Sequence, residues 1–242
     1  MYSLLGHDYE SLPFEWFSAY HMAVLVLFVV LSISLYVFRV WIRTHEKGVR
    51  MSMFGIAFTF ETFYHIWLWS GDEWDLSFTL PLQLCSISLI IALLLLITQS
   101  KVLFQLLYFV GIAGALQALI TPELFLGFPH FRFIQFFTTH ILIILIALFY
   151  VVIKGYRPTG KGLIQAFTFL NISAACAFIA NRITNGNYMF LAHKPENPSL
   201  LDYLGPYPYY ILVLEAIALI LFAAMFFPFY FFRKRSNDET IS

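Results

Sequence analysis

A cysteine and a histidine lie at matching depths in two strongly apolar segments of the chain. Cys85 and His140 stand about six residues, or roughly 9 Å of helix, into the segments 79–98 and 134–153. A thiol becomes a nucleophile when a neighbouring base removes its proton, and imidazole is a common base of this kind. The matching depth therefore permits a Cys–His pair of the kind used in nucleophilic catalysis. The alternative is that Cys85, like Cys176, is an inert packing residue in an apolar helix.

Other polar side chains of the apolar segments lie in the same layer. Glu61 and His65 are four residues apart, so they share one helix face, where the carboxylate could orient or charge the imidazole. Polar groups inside a membrane are costly, which makes each a functional candidate. The layer lies roughly 6–13 Å below one surface and predicts a polar cavity that is open at one end. Its other members are His21, Gln83, Gln117, Asn181 and Glu215.

These residues must be positioned by helices that cross a membrane. Of the 242 residues, 60% are hydrophobic and 12% are charged, whereas soluble domains carry about 25% charged residues. This composition excludes a soluble domain, and the net charge of zero gives no indication of nucleic acid as a partner. We predict an all-α membrane protein, a single seven-helix bundle with spans of about 20 residues. The predicted spans are 17–41, 51–70, 79–98, 102–121, 134–153, 162–181 and 208–232.

The basic residues predict the orientation of the bundle. All but three of the 14 lysines and arginines lie in alternate connections and at the C-terminus. The positive-inside rule then places the N-terminus outside and the C-terminus in the cytoplasm of a multi-pass cell-membrane protein. Acidic residues rather than basic ones precede the first span, so we expect a retained helix and not a cleaved signal peptide. The connection 183–207 is predicted to be a structured extracytoplasmic lid.

The same residues leave two other functions open. His21, His65 and His140, with Glu61, could hold a metal for a lipid hydrolase, although no recognised ligand spacing is present. A seven-helix bundle with an outward cavity is equally typical of a non-enzymatic ligand-binding protein, a transporter component or a partner subunit. The pattern predicts no cofactor and leaves the oligomeric state open, because small-residue faces pack equally well within or between chains.

Two motifs resemble those of a known family. The run Thr79-Leu-Pro-Leu-Gln-Leu-Cys85 resembles the LPLHLC signature of the YwaF-like bacterial integral membrane proteins, with Gln83 where that family often has histidine. A second set resembles the signature that precedes the last helix of that family. It comprises Asn187–Leu191, Lys194-Pro195, Ser199–Asp202 and Leu204-Gly-Pro206. The resemblance extends over nearly the whole chain.

The resemblance implies a seven-helix fold and acyl transfer between phospholipids. The bacterial family groups with a eukaryotic transmembrane acyltransferase, in which a cysteine of the third-helix motif and a downstream membrane histidine are the catalytic pair. The matching positions are Cys85 and His140, with membrane phospholipid as the partner. In that mechanism, Glu61 and His65 would position the head group or the acceptor. The expected donors to the oxyanion are Gln83, Gln117 or Asn181.

Overall fold

The chain forms nine α-helices over residues 4–197 and 200–238, the part that the structure, a computed structural model, describes. A π-helical turn, Leu107–Gly111, joins α5 to α6, and two 3-10 turns, Tyr188–Phe190 and Leu200–Leu204, precede α9. The described residues contain an isolated bridge between Pro13 and Leu126 but no strand. The all-α prediction is therefore confirmed. The helices are α1 Ala19–Val37, α2 Arg39–Thr44, α3 Glu46–Ser70, α4 Leu84–Thr98, α5 Lys101–Leu106, α6 Ile112–Ile120, α7 Phe131–Val152, α8 Gly160–Thr184 and α9 Tyr209–Asp238.

Five helical stretches in this part of the chain are long and apolar enough to cross a membrane. The other two predicted spans differ for separate reasons. Helix α3 has 25 residues, but polar side chains such as Glu61 and His65 lower its mean hydropathy. Helix α4 has only 15 residues, because Thr79–Gln83 is not helical. The chain is a membrane protein, while the count of seven spans and the orientation of the termini stay predictions. The five stretches are Ala19–Val37, Lys101–Ile120, Phe131–Val152, Gly160–Thr184 and Tyr209–Phe231.

Helix α7 forms the centre of the bundle. Its segment Ile141–Ala147 is apolar on every side and is buried throughout, as expected of a helix that is surrounded by others. It packs against α1, α3, α4, α6 and the π turn. Helices α1 and α9 are mostly exposed, and their apolar outer faces are suited to contact with lipid. Helix α7 therefore borders the space between these neighbouring helices.

The two ends of the bundle differ in their connections. At the basic end, formed by 38–46, 99–100 and 153–159, arginines bond to the last carbonyls of helices: Arg50 donates to Leu96 O and Arg43 to Val152 O at 2.9 Å. The opposite end, which we call the cavity end, carries the longer connections 71–83, 121–130 and 185–208. These connections position the candidate site.

The N-terminal segment 4–14 crosses the cavity end and is bonded to it along its length. Phe131 N donates to Leu4 O at 2.9 Å and Trp67 Nε1 to Leu5 O at 2.9 Å. His130 bonds on both sides of its ring: Nε2 donates to Gly6 O at 2.8 Å, and Nδ1 accepts from Arg132 N at 3.0 Å. A neutral imidazole at the start of α7 thus joins the N-terminal segment to the central helix.

Acidification is expected to loosen this segment. Burial lowers the pKa of His130 below its ordinary value of 6.5, and the charges of His7 and Arg132 act in the same direction, against the bond to Gly6. The pKa of His130 is lower in the folded state than in the unfolded state. The neutral ring therefore contributes its full stability at pH values above the unfolded-state pKa. This contribution is lost as the pH falls through the folded-state value. Hydrogen exchange of residues 4–14, corrected for intrinsic rates, should therefore become faster as the pH is lowered from about 7 to about 5.

A His130→Asn variant tests the cause. Asparagine can still accept the bond from Arg132 N but does not titrate, so exchange at 4–14 should accelerate less on acidification than it does in the unsubstituted chain. His45→Asn, at the basic end, is the control and should behave like the unsubstituted chain. Equal acid sensitivity in the His130 variant and the unsubstituted chain would contradict this assignment.

The first part of the connection between α8 and α9 is held by one buried tyrosine. The Tyr188 hydroxyl donates to Leu76 O at 2.7 Å and accepts from Leu80 N at 2.9 Å. Asn181 holds the tyrosine backbone, since its amide accepts from Tyr188 N at 2.6 Å and donates to Tyr188 O at 3.0 Å. The connection is thereby fixed to the loop that precedes α4. Ser199, part of the second motif, lies outside the described residues.

Candidate functional site

A cavity of about 750 Å³ opens at the cavity end. Its walls are formed by α3, α4, α6, α7, α8 and α9, and the connections 77–83, 121–126 and 187–196, with Leu201, border its mouth. Deep apolar side chains such as Leu89, Ile143 and Phe222 form its floor. The nine residues predicted for the site divide into seven that line this cavity and two that do not. The seven are Glu61, His65, Gln83, Cys85, Gln117, His140 and Glu215.

Cys85 lies in the first turn of α4, and this placement follows from the local sequence. Pro81 disfavours helix for the residue before it, and Gln83 is extended (φ −69°, ψ 143°) as the N-cap of a helix that begins at Leu84. The first-turn N–H groups of a helix have no acceptor within the helix and carry partial positive charge. The thiol therefore stands beside donors that could hold an anion.

Gln83 is bonded on one side of its amide only. Its Oε1 accepts from Met189 N at 2.9 Å, and its NH₂ group has no acceptor among the described hydrogen bonds. Because Gln83 lines the cavity, that NH₂ group is a donor at the same place as the first turn of α4. The helix start and the glutamine together supply donors next to Cys85.

His140 is buried in α7 with a defined tautomer. Its Nδ1 lies 2.6 Å from Phe136 O, and a carbonyl can only accept, so Nδ1 carries the proton. Nε2 is then the basic nitrogen, and no protein donor occupies it among the described hydrogen bonds. The ring packs on Phe136 at 4.1 Å between centroids. His140 and Cys85 border one cavity, and no hydrogen bond joins their side chains in the part of the chain described.

A polar chain runs along the α3–α7 wall. Arg132 Nη1 donates to Gln135 Oε1, and Gln135 Nε2 donates to Glu61 Oε2 at 3.3 Å. Glu61 Oε1 lies 3.7 Å from His65 Nε2, so the predicted i,i+4 pair is formed. All four side chains line the cavity. On the opposite wall, Glu215 Oε2 accepts from Asn171 Nδ2 at 3.3 Å.

Two predicted site residues lie outside the cavity. His21 is fully buried at the start of α1, where Nε2 bonds Leu119 O at 2.8 Å and Nδ1 accepts from Phe17 N at 3.1 Å. Asn181 is occupied by the Tyr188 backbone. Both side chains are therefore satisfied by main-chain partners. In the described part of the chain, no three histidine, cysteine or acidic residues come close enough to hold a metal ion, so the three histidines do not form the shared site that the metal-dependent alternative requires.

Comparison with known proteins identifies the family. Residues 16–226 match the model of the TMEM164 family. The chain belongs to the TMEM164 family. This membership is compatible with the resemblance to the YwaF-like bacterial proteins. A protein of Treponema pallidum (strain Nichols), described only as uncharacterized, is 29% identical over 150 residues, which are 62% of this chain and 62% of that protein. The match thus spans less than two thirds of that relative. No solved structure matches the chain.

On α7 of this TMEM164-family chain, sequence reasoning missed three polar residues of the cavity lining: Arg132, Gln135 and Thr139. With His140, they follow a spacing of three, four and one residues, which places all of them on one face of α7. A polar stripe in the first half of an otherwise apolar helix is the signal that would have found them. Arg132 and Gln135 stand near the helix start, where a basic residue is easily taken for a surface contact.

Proposed function

We propose that the chain is a membrane-embedded acyltransferase or acyl hydrolase for phospholipid esters, with Cys85 as the nucleophile and His140 as the base. One observation supports this most strongly. A cysteine in a helix first turn and a histidine whose Nε2 is the basic nitrogen border the same cavity. We further propose that the cavity opens to the extracytoplasmic side of the cell membrane, as the basic residues predict.

The reaction runs in two balanced halves. His140 Nε2 takes the Cys85 proton, and the thiolate attacks the ester carbonyl to give a tetrahedral oxyanion. Collapse of this intermediate forms a thioester on Cys85 and releases the lysophospholipid hydroxyl, which receives the proton from His140. An acceptor hydroxyl, or water in hydrolysis, then attacks the thioester with the same histidine as base, and the thiol is restored.

The surroundings of Cys85 suit the charge that develops. Main-chain N–H groups of the first α4 turn and the Gln83 amide are donors placed before the reaction begins, which is the requirement for oxyanion stabilisation. Glu61 and His65 would position the head group or the acceptor. The apolar floor at Leu89, Ile143 and Phe222 suits an acyl chain. Catalytic hydrogen bonds often tighten only with substrate bound, so we expect the Cys85–His140 contact to form in the complex.

Trapping the acyl-enzyme tests the proposal. Purified protein is incubated with phosphatidylcholine that carries a labelled acyl chain, and intact mass and peptide mapping locate the label. We expect one acyl group on Cys85, released by neutral hydroxylamine as a thioester would be. Acyl transfer or hydrolysis that continues with no thioester detectable on Cys85 at any time would contradict the covalent mechanism.

A non-enzymatic ligand-binding protein is the second candidate. The observation that favours it is that Cys85 and His140 line the same cavity without a hydrogen bond between their side chains. A ligand-binding protein should unfold at a higher temperature when lipid is present, and it should form no thioester and turn over no lipid. The trapping experiment and a thermal-shift measurement on the same sample therefore separate the two functions.

A further inference from the structure

Arg132 is a cation at the cavity that has no carboxylate partner among the ion pairs of the described residues. It is the one arginine or lysine among the described residues of the lining. The described ion pairs leave it without a carboxylate within 4.0 Å, although it is half-buried. Withdrawing a charge from water without a counter-charge is unfavourable. Such a charge is the expected feature of a site whose anion is supplied by a ligand.

The neighbours of Arg132 hold the guanidinium in place without neutralising it. It lies over the Tyr64 ring at 4.4 Å and the Phe136 ring at 5.4 Å. Nη1 donates to Gln135, which leaves further N–H donors of the fork free. A planar fork fixed by stacking is suited to bidentate binding of a phosphate.

Gln135 stands between Arg132 and the Glu61 carboxylate. Its amide lies between Arg132 and Glu61, accepting from the first and donating to the second. With a carboxylate in direct contact, the guanidinium would be neutralised and its affinity for an outside anion would fall. The neutral spacer therefore preserves the positive charge of Arg132 for a ligand.

The helix start itself does not supply this site. Phe131 N is bonded to Leu4 O, and Arg132 N to His130 Nδ1. The main-chain N–H groups of Phe131 and Arg132 are therefore occupied, and the Arg132 side chain is the cationic donor at this wall. Arg132 also precedes His140 by about 12 Å along α7. In a phospholipid, the acyl esters lie between the phosphate and the chain ends, so this order matches a molecule entering chain-first.

We propose that Arg132 binds the phosphate of the phospholipid whose ester reaches Cys85, and so selects phospholipids over neutral glycerides. The choice of occupant rests on the proposed function. The phosphate-binding property rests on the guanidinium alone, which has no carboxylate partner in the described part of the chain. Arg132 is a specificity residue in this assignment, since it contacts the head group and not the reacting carbonyl.

The test compares two esters with identical labelled acyl chains, phosphatidylcholine and diacylglycerol, in neutral detergent micelles. Arg132→Gln should lower kcat/KM for phosphatidylcholine on the order of 10- to 100-fold and leave diacylglycerol turnover within about twofold. Arg132→Lys, which keeps a point charge but loses the fork, should be intermediate. Arg182→Gln is the matched control, because Arg182 stacks on Phe178 at 5.3 Å but lies outside the cavity lining.

Retention of the two lipids, measured by native mass spectrometry, runs beside the kinetics. Arg132→Gln should retain less phosphatidylcholine and equal diacylglycerol. Equal losses with both lipids would overturn the proposal and make Arg132 structural. If the unsubstituted chain turns over neither ester, the proposed function fails while retention still decides the Arg132 assignment. If inorganic phosphate protects the protein through Arg132 and phosphatidylcholine does not, the assignment to a lipid head group is overturned.

Discussion

Replacing Cys85 by alanine is expected to reduce acyl transfer about 10³-fold or more, because no thioester can form without the nucleophile. Cys85→Ser should lose nearly as much, since a serine hydroxyl gives up its proton far less readily than a thiol. The measurement is transfer of a labelled acyl chain from phosphatidylcholine to a lysophospholipid by purified protein in liposomes. Cys176→Ala is the matched control, because Cys176 is exposed on α8 and lies outside the cavity lining.

Replacing His140 should also reduce the rate of acyl transfer. His140→Ala is expected to lower transfer by about 10²- to 10⁴-fold, and the double variant with Cys85→Ala should be no slower than Cys85→Ala alone, because the two groups act as a unit. Because His140 is buried, thermal unfolding of each variant is measured beside the kinetics, so that a loss of folded protein is not taken for a loss of chemistry. If Cys85→Ala and His140→Ala each retain transfer near the control rate, the Cys–His mechanism is wrong.

Truncation of Tyr188 to alanine is expected to lower the free energy of unfolding more than the other substitutions proposed for this protein. The ring is fully buried, and removal of a buried aromatic ring typically costs about 3–5 kcal/mol. For a chain of this size, that corresponds to a fall in Tm of roughly 6 to 20 °C. Thermal unfolding of the purified protein in detergent measures it. Tyr203→Ala is the control, since Tyr203 is 88% exposed.

Tyr188→Phe separates the hydroxyl from the ring. It leaves Leu80 N and Leu76 O without their partner, which should cost about 1–3 kcal/mol. Because this hydroxyl fixes the loop ahead of Cys85, the variant should also slow acyl transfer more than its stability loss alone explains. A Tyr188→Phe protein as stable and as active as the Tyr203 control would show that the loop is held by other contacts.

The depth of polar residues was the most informative property of the sequence. It placed Cys85, His140, Glu61 and Gln117 in one layer, and the structure puts all four on one cavity. Depth along a helix follows directly from residue number at 1.5 Å per residue. Rotation about the helix axis and the choice of neighbours depend on packing, which no single segment determines. Whether Cys85 and His140 touch depends on this packing and cannot be deduced from the depth of either residue.

The differences between prediction and structure have local causes. Helix α4 begins at Leu84 and not at Thr79 because Pro81 and an extended Gln83 precede it. His21 shares the depth of the layer but bonds to Leu119 O, a main-chain partner that composition cannot reveal. Arg132 was not predicted for the site, because a charge near a helix end usually lies at the surface; the structure places it over Tyr64 and in the cavity lining.

The π turn Leu107–Gly111 has a consequence for how this cavity is encoded. A π turn holds one more residue than an α-helix would over the same path, and each residue turns the helix by about 100°. The side chains after it, among them Gly114 and Gln117, line the cavity, while α5 before it packs against α8. Deleting a single residue from the turn would leave a regular α-helix over the same path, so the side chains on either side of it would keep their directions. The extra residue therefore alters only the turn itself, and the two halves of the helix keep the faces that meet α8 and the cavity.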